Sequence, residues 1–232
     1  MNKILGSILL ALWFFTFTGV SPAKELLFQA EPANHNYARG LGKKLGEAHR
    51  TEFDPRMFSR QTWHQRLSYS SYKPDLDETL EIYSKPDGSR WLSHRQAKPS
   101  LTGLILRRVV HDEKFDLKKQ LDAVPITSHE VALPPEVANE IELLWQTMLP
   151  GVAKAPEPGT LSVHAPIFDA FVRSDHSVKT GRIPMAAYDT PVYRAFVDVI
   201  KDLREACDRH VNSADPMFKR LPVKIRNLRA RL

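Results

Sequence analysis

Cysteine is almost absent: Cys207 stands alone among 232 residues. A lone thiol excludes a disulfide within the chain and any metal site built on a cysteine pair. Other signatures are missing too. No Asn-x-Ser/Thr acceptor occurs, so the chain carries no glycosylation signal. The nucleophile-elbow pattern Gly-x-Ser-x-Gly is absent, as are His-x-His and His-Glu-x-x-His. These gaps remove the best-marked hydrolases and zinc enzymes, and they leave few residues that look like chemistry.

What is present begins with a leader. Met1-Asn2-Lys3 gives a positive start, Ile4 to Val20 is nearly all apolar, and Ser21-Pro22-Ala23 supplies small residues for a signal peptidase. This pattern predicts a signal peptide cleaved near Ala23. No Cys follows the apolar run, which argues against a lipid anchor. A secreted chain without disulfides or glycosylation signals points to the periplasm of a Gram-negative bacterium.

Charge is unevenly placed. The formal balance is +6, and loss of Lys3 with the leader makes it +5. The six cations of the C-terminus, Lys219, Arg220, Lys224, Arg226, Arg229 and Arg231, exceed that surplus, so the remaining body is about −1. Basic character belongs to the tail. Its Ile225, Leu228 and Leu232 share a helical face, a pattern suited to an anionic membrane surface or an acidic partner. Outside the cytoplasm, no nucleic acid is expected as a partner.

The chain divides into a signal peptide (1–23), a polar N-terminal arm (24–61), a single α+β domain (62–212) and a basic C-terminal tail (213–232). Within the arm, Asp54-Pro55 suits a short helix. "DETLEIYS" alternates, with Leu80 and Ile82 on one face and Thr79, Glu81 and Tyr83 on the other; "KPDG" turns it back into "SRWLSHR". "TGLILRRVV" reads as a further strand, "DEKFDLKKQL" as a polar helix, and "SHEVAL" as a strand. Pro134-Pro135 opens a helix with Val137, Ile141, Leu144 and Met148 as its buried stripe. Thr190-Pro191 opens another, with Val192, Phe196, Val199, Ile200 and Leu203 apolar and Cys207 one turn on. The fold class is therefore α+β, mainly an antiparallel sheet with two principal helices packed on one face.

Candidate sites are few. "FVRSDHSVKTGRIP" gathers Ser174, Asp175 and His176, but adjacent side chains of a strand point to opposite faces, so they do not converge. The stretch reads as a polar hairpin loop, "SDHSVKTG", that could display Arg173, Asp175, His176, Lys179 and Arg182 to a charged partner. Trp63 and Trp91, each beside basic residues, form a possible ligand platform. "RGLGKKLG" lacks the strand–loop–helix context and spacing of a dinucleotide loop. "PDLDET" offers Asp75, Asp77 and Glu78 but not a calcium loop. His111 and His129 each have an acid next to them in sequence and no ligand set at metal spacing. No catalytic residue, metal or cofactor is expected. The sequence reads as a periplasmic binding protein for another protein or an envelope component, such as an inhibitor, immunity or accessory factor. The alternative is a cell-envelope hydrolase whose site gathers His94, His129, Glu130, Asp169 and His176 across the sheet.

Overall fold

A computed structural model describes residues 29–31, 44, 47–58, 63–71, 75–109, 113–149, 167–174, 177–183 and 190–232. The expected leader, the expected linker at 150–166, Asp175, His176 and most of the segment read as an N-terminal arm lie outside the described residues. Among the described residues seven strands occur: β1 (Gln29–Glu31), β2 (Trp63–Ser71), β3 (Leu76–Ser84), β4 (Arg90–Ala97), β5 (Ile126–Ala132), β6 (Ile167–Ser174) and β7 (Ser177–Arg182). A π-helical turn (His49–Phe53) precedes α1 (Asp54–Met57), followed by α2 (Leu101–Val109), α3 (Leu117–Asp122), α4 (Pro135–Met148), α5 (Pro191–Asp208) and α6 (Pro216–Arg229).

The sheet grows from the β3–β4 hairpin. Its turn closes with Gly88 N–H donating to Lys85 O at 2.9 Å and Lys85 N–H to Ser89 O at 3.0 Å. Gly88 sits at φ 81°, a conformation that costs glycine little. Every neighbouring pair is antiparallel, in the order β1-β7-β6-β2-β3-β4-β5. The α+β class follows directly from this sheet and its helices.

On one face, Leu67, Leu80, Ile82, Leu92 and Val131 form a core with α4, α5 and α6. Both helices expected from their proline starts are present. Thr190 caps α5, its Oγ1 accepting from Tyr193 N–H at 3.1 Å. Val137, Ile141, Leu144 and Met148 of α4 are all buried. The main difference is at the C-terminus. The segment read as a basic tail beyond the domain forms α6, opened by Asp215, whose Oδ1 accepts from Met217 N–H at 2.8 Å. Phe218, Leu221, Ile225, Leu228 and Leu232 belong to the same core, and α6 packs on both α4 and α5. Three principal helices cover this face, not two. The physical reason is the stripe itself: the same apolar face that suits a membrane equally suits the groove between two amphipathic helices.

The opposite face of the central strands is also covered. Phe53, Met57, Phe58, Ala97, Leu101, Leu104, Ile105 and Leu121 form a second cluster. Residues 102–109 of "TGLILRRVV" consequently lie in helix α2 and not in a strand. Leu101, Leu104 and Ile105 fall at helical spacing and are buried, and Ser100 Oγ accepts from Gly103 N–H at 2.9 Å, capping the helix start. The predicted "SDHSVKTG" loop is shorter than read, because Ser174 pairs with Ser177 and "SVKTGR" is strand.

Cys207 is fully buried on α5, with its Sγ 3.6 Å from Leu92 O, and burial pushes its thiol far up from the usual range. Two outcomes follow from this packing. Ile225→Ala leaves a cavity among three helices and lowers the free energy of unfolding by about 2–5 kcal/mol in urea titrations. Cys207 stays unreactive to a soluble disulfide reagent in the native state and reacts at the rate of global unfolding.

Candidate functional site

Two polar regions stand out on opposite faces of the sheet. On the second-cluster side, a cross-strand row is set by register. Trp63 lies opposite Tyr83, and Tyr83 opposite Trp91. A shift in β2 pairing between Trp63 and Gln65 turns Trp63 onto this face. Tyr83 is buried, while Trp63 and Trp91 are half-buried. Cations stack on the row. Arg66 lies 4.3 Å from the Trp63 ring centroid and 4.6 Å from that of Phe58. Arg173 is 5.6 Å from the Trp63 centroid, and Lys85 Nζ is 3.1 Å from that of Trp91. Two carboxylates close the set: Glu81 Oε1 accepts from Arg66 Nε at 2.8 Å, and Glu130 Oε2 accepts from the Tyr83 hydroxyl at 2.8 Å. Burial pulls the Arg66 guanidinium below its usual value, against the opposing pull of Glu81.

On the side covered by α4–α6, a buried seam runs through β3, β4 and α5. Gln96 Nε2 donates to Glu78 Oε1 at 2.6 Å, and Arg204 Nη2 stands 2.8 Å from Glu78 Oε2. His94 faces two carboxylates: Nδ1 is 2.8 Å from Asp208 Oδ1, and Nε2 is 3.7 Å from Glu78 Oε1. Burial raises the Glu78 carboxyl, but His94, Gln96 and Arg204 together outweigh it and hold the group below its usual value. One strand further out, His129 lies opposite His94, and its Nδ1 is 3.2 Å from Nε2 of His210. The space beside this seam, between Tyr69, Leu80, Ile200 and Arg204, holds only about 10 Å³. That is roughly one water.

The sequence-selected residues separate clearly. Trp63, Trp91 and Arg173 share one face of the sheet. Asp175 and His176 lie outside the described residues, and Lys179 and Arg182 hold register positions opposite Val172 and Asp169. Of the tail cations, Lys224 bonds Asp202 at 2.6 Å and Asp198 at 2.9 Å; Arg226 reaches Glu136 and Glu140, and Arg229 reaches Glu140. Burial works against the Lys224 charge, yet Asp202 and Asp198 hold its ammonium above the usual value. Lys219, Arg220 and Arg231 are exposed. Asp75 and Asp77, weighed above as cation ligands, instead anchor α2. Asp75 Oδ1 accepts from Ser100 N–H at 3.0 Å, and Asp77 Oδ2 accepts from Thr102 N–H at 2.8 Å and Ser100 Oγ at 3.0 Å.

Sequence reasoning missed Tyr83, Arg66 and Lys85 on the aromatic face, and Arg204, Asp208 and His210 on the other. The alternation of β3 does place Tyr83 with Glu81, so that signal was present. No local pattern links His129 to His210, 81 positions apart. No family model, curated protein or solved structure matches the chain.

Glu78→Gln tests the seam. Losing charge-assisted bonds in a buried position lowers stability near neutral pH by about 1–3 kcal/mol. A depressed carboxyl stabilises above its unfolded-state value, 4.5, and that contribution is lost as pH falls through the lower folded value. The gap between wild-type and variant urea midpoints therefore narrows as pH drops below 4.5. A gap independent of pH contradicts the assignment.

Proposed function

We propose that the chain is a secreted, periplasmic binding protein without catalysis of its own, and that its partner is another protein. The observation that supports this reading is the Trp63–Tyr83–Trp91 row with Arg66, Lys85 and Arg173 upon it. Trp, Tyr and Arg are the residue types that most often carry binding energy at protein interfaces. The two half-buried indoles offer apolar area with their orientation already set by the strand ladder, which limits the ordering cost of binding. Lys85 and Arg173 over the rings favour a partner that presents carboxylates, Arg66 being held by Glu81. Within this class fall an inhibitor, an immunity protein and an accessory factor of the envelope.

The hydrolase alternative requires histidines and acids on one reacting centre. Among the described residues, Glu130 faces away from His94 and His129, and bonds Tyr83 on the other side of the sheet. His94 is buried, with Nδ1 bonded to Asp208 Oδ1 at 2.8 Å and Nε2 3.7 Å from Glu78 Oε1. Burial keeps that ring from solvent, which argues against its meeting a substrate. Among the described residues, no helix is long and apolar enough to cross a membrane.

The test is crosslinking in the periplasm of the native host, read by mass spectrometry, for wild type and for the surface pair Lys85→Glu with Arg173→Glu. One protein captured at near-stoichiometric yield, and reduced about tenfold or more in the pair variant, is expected. Capture of a polysaccharide or lipid alone overturns the protein-partner reading, and equal capture by the variant overturns the assigned face.

A further inference from the structure

His210 occupies a costly position. It follows α5 at φ 50°, in the left-handed region where glycine is the usual residue. The backbone there is tightly fixed. His210 N–H donates to Cys207 O at 3.0 Å and Val211 N–H to Ala206 O at 3.1 Å, the paired bonds of a Schellman ending, with Val211 buried behind them. An imidazole is therefore carried on a fixed backbone that would be better served by glycine. A strained residue of this kind is a pointer to function.

What the imidazole reaches is a second one. His129 sits on edge strand β5, fixed by the ladder to β4. Its Nδ1 stands 3.2 Å from Nε2 of His210, with ring centroids 5.0 Å apart and planes inclined at 64°. Two nitrogens bound at about 2.05 Å to one tetrahedral ion stand roughly 3.3 Å apart. The observed gap is a hydrogen bond between the two rings, and it also matches that edge. His210 is exposed and His129 half-buried, so an ion has an open approach. Asp208, two residues before His210, is bound to His94 and serves the buried seam.

We propose that His129 and His210 form a site for a divalent transition metal, Nδ1 of the first and Nε2 of the second ligating one ion whose remaining positions are water. Imidazole donors suit Zn²⁺, Cu²⁺ and Ni²⁺ and not the oxygen-seeking Mg²⁺ or Ca²⁺. Among the described residues, no group of three or more His, Cys, Asp or Glu side chains is disposed to hold an ion, so the site is built on two protein ligands. It joins the end of α5 to the edge of the sheet, and bound metal clamps that junction. The site is independent of the aromatic face and of the partner proposed for it.

Calorimetric titration of the untagged chain with ZnCl₂, together with thermal unfolding at rising zinc concentration, tests the site. The expected result is one zinc per chain and an unfolding temperature that climbs with zinc. His210→Gly is the decisive variant because it relieves the strained backbone. It is expected to unfold at the same or a higher temperature than wild type without metal, while its zinc affinity falls at least about tenfold, as losing a ligand exceeds the usual outer-shell loss. His129→Gln loses zinc affinity in the same way. No zinc heat in the wild type, or wild-type affinity kept by either variant, overturns the proposal.

Discussion

Strand β3 is covered on both faces, and this constraint organises the rest of the molecule. Its seven central residues are buried, and four of them are Asp77, Glu78, Thr79 and Glu81. An antiparallel strand normally keeps one side wet; a polar residue on a doubly covered strand has to find its partner inside the protein. Asp77, Thr79 and Glu81 do so on the second-cluster side, and Glu78 on the other. Asp77 holds the start of α2, Thr79 donates to Met57 O beside α1 at 3.1 Å, Glu81 grips Arg66, and Glu78 reaches across to Arg204 of α5. Hydrophobic area draws both layers onto the sheet without direction. These four polar side chains give each layer its register.

The same constraint decides where function can reside. Acids and a histidine gathered at the centre look like a reaction site by composition, and they are tied to neighbours: Glu78 to Gln96 and Arg204, His94 to Asp208. Structural ion networks shift pKa values as catalytic groups do, so the lowered Glu78 carboxyl does not by itself mark a reaction site. Groups that still face outward lie at the margins: the aromatic row at one end of β2–β4, and the two histidines where α5 ends against β5. The proposed binding and metal roles both rest on those margins. A rigid, doubly covered centre is what holds such surfaces in fixed geometry.

Much of the architecture was legible because its signals are local. Proline starts, the Pro86-Asp87-Gly88 turn and the α4 and α5 stripes each act within a few residues. The strand–helix error at 101–109 has a local ambiguity at its root: a short apolar run carries too few periods to separate 2.0 from 3.6. What settled it was Asp77, more than 20 residues upstream, meeting the helix start. The tail failed for a related reason. An amphipathic stripe states that it will be covered, not by what, and the acids that pair Lys224, Arg226 and Arg229 lie on α4 and α5. Of the candidate site, Trp63, Trp91 and Arg173 were legible as residue types beside charge. Their convergence on one face was not, since a pairing shift in β2 decides which way Trp63 turns. The His129–His210 pair exists only in three dimensions.

Native-state hydrogen exchange across β3, α2, α5 and α6 is the most direct measurement of this dependence on one strand. If β3 ties both layers together, its amides exchange only through global unfolding, and those of α5 and α6 share the same opening free energy. Should α6 open alone at much lower free energy, or β3 exchange ahead of the helices, the layers are held by something other than the polar residues of that strand.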